Sequence, residues 1–339
     1  MSGFLSLPDL ASRRLGGSAV AANDEFFAPK ENLLLEADAS FDPHRYTDRG
    51  KWMDGWETRR RREPGNDWCV IRLGVPGLVR GVVVDTAHFR GNHPESASVD
   101  GARFVVEPAR WDDAEWLPLV PRSPLDGDAK NVFEVTVGHL CTHVRLSIFP
   151  DGGVARLRVH GEPAPDWDAL ATAGGGIEVA AIPHGGSVVA SSDEFFGAPH
   201  HMLLPGDPQG MWDGWETRRR RDSGNDWAVI RLGRRARIER IEIDTRHFKG
   251  NYPESARVEA IDAVGTIDAG EALDANGAGE LARDDAGWHE ILPRSQLGPD
   301  RVQVFEPPAL SPVDATHLRL SIYPDGGIAR LRVFGSLLA

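Results

Sequence analysis

Cysteine is nearly absent from this 339-residue chain, which carries only Cys69 and Cys141. So low a count rules out a disulfide framework, and each thiol reads as a small, buried, reduced side chain. Cations are also in deficit: 38 Lys and Arg against 51 Asp and Glu leave a formal charge of −13. That balance argues against a nucleic-acid or membrane-surface partner. No apolar run reaches membrane-spanning length and the N-terminus lacks an apolar signal core, so a cytoplasmic protein is expected. A serine nucleophile elbow, a glycine-rich phosphate loop opening a helix and a long helical stripe are missing as well.

What is present is written twice. Asp54-Gly55-Trp56-Glu57-Thr58 and the run Arg59–Arg62 return as Asp213-Gly214-Trp215-Glu216-Thr217 and Arg218–Arg221, an offset of 159 residues. Solenoid units repeat at roughly 20–50 residues, so this period is that of a duplicated domain. Gly65-Asn66-Asp67-Trp68 returns as Gly224-Asn225-Asp226-Trp227, and Asp24-Glu25-Phe26-Phe27 as the segment from Asp193 to Phe196. Asp85-Thr86, His88-Phe89 and Gly91-Asn92 return as Asp244-Thr245, His247-Phe248 and Gly250-Asn251. Pro150-Asp151-Gly152-Gly153 and the segment from Ala155 to Val159 return from Pro324 to Gly327 and from Ala329 to Val333. Cys69 and Cys141 are replaced by Ala228 and Ala315, so the two copies share no Cys/His pair. The offset grows from 159 at His88 and His247 to 172 at Pro121 and Pro293. The second copy therefore has 13 extra residues, expected around 265–287, while the first has the longer loop around 36–51. The arginine runs lie beside Asp and Glu in an acidic chain, which disfavours a targeting or heparin-binding reading.

The periodicity is that of strands. Ile241-Glu242-Ile243-Asp244-Thr245 alternates apolar and polar. From His143 to Ile148, Val144, Leu146 and Ile148 share one face, with His143, Arg145 and Ser147 on the other. Ala155 to Val159 alternates too, and Gly and Pro punctuate the intervals. An all-β fold is expected: a tandem duplication of a jelly-roll β-sandwich over 1–161 and 177–339, joined by a linker at 162–176.

These phrases, from Trp52-Met53-Asp54-Gly55-Trp56-Glu57-Thr58 and its arginines to the Pro-Asp-Gly-Gly turn and the closing Ala-Arg-Leu-Arg-Val, resemble the allantoicase family over roughly residues 15–338. The resemblance implies two jelly rolls similar to galactose-binding modules. It also implies hydrolysis of a linear amidine C–N bond (allantoate amidinohydrolase), taking allantoate to ureidoglycolate and urea in purine catabolism through allantoin. The second copy reads Met211-Trp212 where the first reads Trp52-Met53. The competing class is a non-catalytic tandem galactose-binding-like module for carbohydrate or another ligand, where paired copies add avidity.

Allantoate is a small carboxylate bearing two ureido groups, so its site calls for guanidinium, whose planar fork binds a carboxylate bidentately, with amide-type partners and groups that move protons. Residue type and recurrence select Asp54, Glu57 and His88 for chemistry, with Glu216 and His247 as second-copy equivalents. Arg59, Asn92 and Glu95, or Arg218, Asn251 and Glu254, are selected for binding substrate. By strand parity Glu57, Arg59 and Arg61 share a face, as an ion-pair ladder or as part of a site. His88 and His247 are expected to continue the buried faces of regular strands to their ends, as hydrogen-bonded core histidines or at a pocket mouth. Trp52, Trp56, Trp68, Trp212, Trp215 and Trp227 read as sandwich core or rim, and Asn66-Asp67 as a turn. His88 with Glu95, or His143 with Asp151, supplies metal-ligand types without a recognisable spacing. The metal and cofactor thus stay unknown: none is demanded, and a divalent ion would suit the chemistry. Where the copies differ, Lys51 faces Gly210 and His93 faces Tyr252, while His44, Arg45, His184 and His200 have no match. A homo-oligomer is expected, since arginine-rich runs suit subunit contacts.

Overall fold

Alternation becomes strand in both copies of the computed structural model, which describes residues 3–172, 174, 176–263 and 287–338. The extra residues expected around 265–287 thus lie, but for residue 287, outside the described residues. The chain forms two compact units, Met1–Pro165 and Asp166–Ala339.

In the first unit the spine is the 19-residue strand Asp67–Asp85. Its first half pairs with Ser18–Ala22 and with Leu140–Phe149, and the layer continues through Ser96–Ala102 to Leu117–Pro124. Pairing with Leu140–Phe149 is interrupted between Arg72 and Gly77. Pro76, which has no N–H to give to a ladder, sits in that gap. Beyond it the strand pairs with Arg156–Pro163 on one side and Lys130–Glu134 on the other. One strand therefore serves two layers, turning the corner at an irregularity as sandwich strands do. The interior shows the same closure. Cys69 and Ile71 from the first half meet Val82 and Val84 from the second in one buried cluster with Val144, Leu146, Leu157 and Val159. Each such aliphatic side chain contributes about 1.5–3 kcal/mol when fully buried.

The opposite face of Leu140–Phe149 is covered as well. His143 and Ser147 are buried, and Phe104 and Trp111 pack on the His143 ring. Trp56 and Trp215 are core residues whose indole N–H groups donate to the carbonyls of Asp24 and Asp193, each at 2.8 Å. Both cysteines are buried free thiols, and burial pushes both up, away from nucleophilic thiolate.

The second unit repeats the plan around Asp226–Asp244. Its partners are Ser187–Ser191, Val313–Tyr323, Ser255–Ile261 and His289–Gln296 in one layer, with Arg330–Leu337 and Val302–Phe305 on the second half of the strand. The corner recurs between Arg231 and Ala236. The all-β tandem jelly roll read from the sequence is borne out. No helix among the described residues is long and apolar enough to cross a membrane.

Candidate active site

In the first unit, three segments converge where the strand Asp67–Asp85 ends. The two-residue strand Trp56–Glu57 pairs with Gly153–Val154, which turns Trp56 into the core and Glu57 outward. The loop after Asp85 brings His88 and Asn92, and Gly153 N donates to the Asn92 carbonyl at 2.8 Å. Gly153 must be glycine, because a Cβ there would collide with the Phe89 ring. The longer loop around 36–51 supplies the third wall through Phe41 and the hairpin Tyr46–Thr47/Gly50–Lys51. Together they line a cavity of about 320 Å³ whose polar groups are Glu57, His88, Asn92, Lys51 and Arg90. That is the lower end of the roughly 300–1,000 Å³ common for small-molecule sites.

Asn92 Nδ2 donates to Glu57 Oε1 at 2.7 Å. Burial raises the Glu57 carboxyl above the usual carboxylate value, and the Asn92 hydrogen bond offsets part of that rise. His88 is not the end of a regular strand. The strand stops at Asp85, Phe89 N donates to the Thr86 carbonyl at 2.9 Å, and His88 sits in the left-handed region at φ 69°. Such a conformation costs on the order of 1–3 kcal/mol, and it recurs at His247. Asp128 Oδ1 accepts from His88 N at 2.8 Å and holds it there. The ring is fixed by Phe41, stacked at 5.6 Å, and by the Ala39 carbonyl 3.0 Å from Nε2. A carbonyl can only accept, so Nε2 carries the proton and Nδ1 keeps its lone pair in the neutral ring.

The structure does not bring the other candidates into this cavity. Asp54 is a clamp: its carboxylate accepts from Arg156 Nη2 at 3.0 Å and from Ser40 N at 2.9 Å. Burial alone would raise Asp54, but Arg156 and Ser40 outweigh it and hold the carboxyl low. The expected ladder of Glu57, Arg59 and Arg61 is absent, because the strand ends at Glu57. Arg59 turns to Asp24, at 2.6 Å, and Arg61 to Asp67, at 2.7 Å, with Asp151 accepting from Arg61 N. Arg59 and Arg61 thus tie loops of their own unit together. Glu95 is exposed and takes part through its backbone, N to the Phe149 carbonyl and O from Leu125 N.

The second unit keeps the same pairings. Asn251 Nδ2 donates to Glu216 Oε1 at 2.5 Å, and His247, at φ 70°, has Nε2 2.9 Å from the Pro208 carbonyl. Arg218 binds Asp193 at 2.7 Å, and Glu254 faces Arg294 at 3.6 Å. The cover differs. Phe195 and Phe196 are 63% and 62% exposed and Trp212 is 64% exposed, against 40% and 38% for Phe26 and Phe27. In the first unit Arg49 lies over Phe26 and donates to its carbonyl at 2.7 Å. The loop around 36–51 is therefore what makes a walled cavity beside Glu57. The sequence reading passed over Phe41 and Arg90, and marked Lys51 only as a difference between copies. Among the described residues, no group of three His, Cys, Asp or Glu side chains gathers as a metal site.

Fold and cavity together define a duplicated jelly-roll protein whose first repeat holds a polar cavity rimmed by Lys51 and Arg90. The family model described as the allantoicase repeat matches residues 8–164 and 177–338. A probable allantoicase 2 from Burkholderia pseudomallei (strain K96243) is 46% identical over 331 residues, covering 97% of this chain and 94% of the relative. A probable allantoicase from Streptomyces avermitilis is 47% identical over 348 residues, 98% of this chain and 86% of the relative. The crystal structure of allantoicase from Saccharomyces cerevisiae superposes with a TM-score of 0.79 at 33% identity, covering 97% of this chain and 92% of that one. This chain belongs to the allantoicase family.

Proposed function

We propose that this protein is an allantoate amidinohydrolase, hydrolysing allantoate to ureidoglycolate and urea in the first-repeat cavity. The observation that carries the site is the half-buried carboxyl of Glu57, held by Asn92 beside His88 in a small cavity rimmed by Lys51 and Arg90. The substrate is a carboxylate with two planar ureido arms, and the lining matches it in kind: cations for the carboxylate, and amide, imidazole and carboxyl groups for the ureido N–H and C=O.

Glu57 takes a proton from the water whose oxygen bonds to the central carbon. The C–N bond to one ureido arm breaks, and the same proton passes to the departing nitrogen, which leaves as urea. Glu57 returns to its carboxylate, so atoms and charge balance. A carboxyl raised by burial is the stronger base for this exchange. His88, with Nε2–H spent on Ala39, offers Nδ1 to accept a ureido N–H and fix the arm that leaves.

Urea release from allantoate by the purified protein tests the reading; a folded sample releasing none would leave the binding-module class. The pH profile tests the role. Glu57 must be ionised to act, so kcat/KM rises with pH through its pKa. Asn92 stabilises the carboxylate, so Asn92→Ala raises that pKa further and moves the acidic limb to higher pH. An unmoved or lowered limb would remove Glu57 from the proton-transfer role.

A further inference from the structure

Of the charged groups around the cavity, Lys51 alone has no counterpart in the second repeat. Glu57, His88 and Asn92 recur as Glu216, His247 and Asn251, and Arg90 is matched by Lys249, but Lys51 faces Gly210. Lys51 closes the hairpin opposite Tyr46. That hairpin is held in place by Arg49 on Phe26 and by Arg45 stacked 4.1 Å from the Trp52 ring centre. The Lys51 ammonium lies 4.6 Å from the centre of the Phe41 ring, which itself stacks on His88. Arg90 already binds Asp128 at 2.9 Å and Glu57 is engaged by Asn92. Among the described residues no carboxylate pairs with Lys51. A cation at a cavity mouth, held over an aromatic face and left without a counter-ion, is placed to receive an anion.

We infer that Lys51 binds the substrate's carboxylate and sets the site's preference for ureido acids over neutral ureides. This rests on the allantoate reading of the cavity. It also gives the asymmetry of the duplication a chemical content: the second repeat keeps the Glu216–Asn251 pair without the equivalent cation. Lys51 contributes charge to substrate held in ground and transition state alike, so its loss falls on KM rather than kcat.

The test compares Lys51→Met and Lys51→Arg in the full chain, with allantoate as substrate and its neutral carboxamide analogue as competitive inhibitor. A charge-assisted hydrogen bond corresponds to about 10–100-fold in affinity, so KM for allantoate should rise by about that factor in Lys51→Met. The turnover number should change by less than about threefold, and Lys51→Arg should restore most of the loss. The inhibition constant of the carboxamide should stay within about twofold, since it carries no charge for Lys51 to hold. An unchanged KM, or an equal weakening of the carboxamide, overturns the inference. Glu57→Gln assayed alongside separates the two readings. If it is inactive while Lys51→Met behaves as the parent, only the role of Lys51 falls; if it is fully active, the cavity is not the site.

Discussion

Glu57→Gln is expected to lower kcat for urea release by about 10²–10⁴-fold with little change in KM. Gln keeps the shape of the side chain, and its amide oxygen can still accept from Asn92 Nδ2, now 2.7 Å from Glu57 Oε1. What it loses is the capacity to hold a proton during the reaction. The variant should not unfold: burial disfavours the Glu57 carboxylate, so a neutral amide there removes a desolvation cost. A parent-like thermal midpoint beside a collapsed kcat would therefore place Glu57 in proton transfer. Turnover within about twofold of the parent would move the chemistry elsewhere, with Glu216 the next carboxyl to test.

The architecture was legible because burial writes a period into the chain. The alternation of Val144, Leu146 and Ile148 with polar neighbours, repeated from Leu318 to Ile322, is what a strand over one interior requires, and these residues are buried. The duplication was legible too, but it cut against reading the site. Recurrence does not separate a catalytic carboxylate from a structural one, and Asp54 and Glu57 recur equally. Only the structure shows Asp54 turned to Arg156 and Glu57 turned to the cavity. The way His88 reaches the cavity is hidden for a related reason. Val82, Val84, Thr86 and His88 keep strand parity, yet Thr86 spends its hydroxyl on the Asp126 and Ala129 carbonyls and the chain turns left-handed two residues later. Period cannot reveal a turn held by side-chain hydrogen bonds. Phe41 lies in the part of the loop with no second copy, where no pattern distinguishes a wall from a surface, and Lys51 stands out only by its difference from Gly210.

The largest loss of stability is expected from Asp213→Ala in the second unit. Its carboxylate accepts from Arg330 Nη2 at 2.9 Å and from Gln209 N at 2.9 Å, and the two charged side chains are 0% and 1% exposed. Burial, and then the neighbouring Arg332, press the guanidinium downward against Asp244 and Asp207, and Asp213 is the carboxylate hydrogen-bonded to it. Removing one partner of such a pair leaves an uncompensated buried charge and costs about 3–5 kcal/mol. For a unit of this size each kcal/mol shifts the midpoint by roughly 2–4 °C, so a fall of about 6–20 °C is expected in thermal unfolding. Asp54→Ala in the first unit should cost less, because the Asp54 side chain is 11% exposed and water can replace part of what Arg156 loses. The two variants should also part in function. Asp54 anchors Ser40 N and so the loop that carries Phe41 and Lys51, whereas Asp213 anchors Gln209 N in the repeat that lacks that loop. Assayed well below its midpoint, Asp213→Ala should keep KM for allantoate within about twofold of the parent, and Asp54→Ala should raise it. The opposite pattern would put the working cavity in the second repeat.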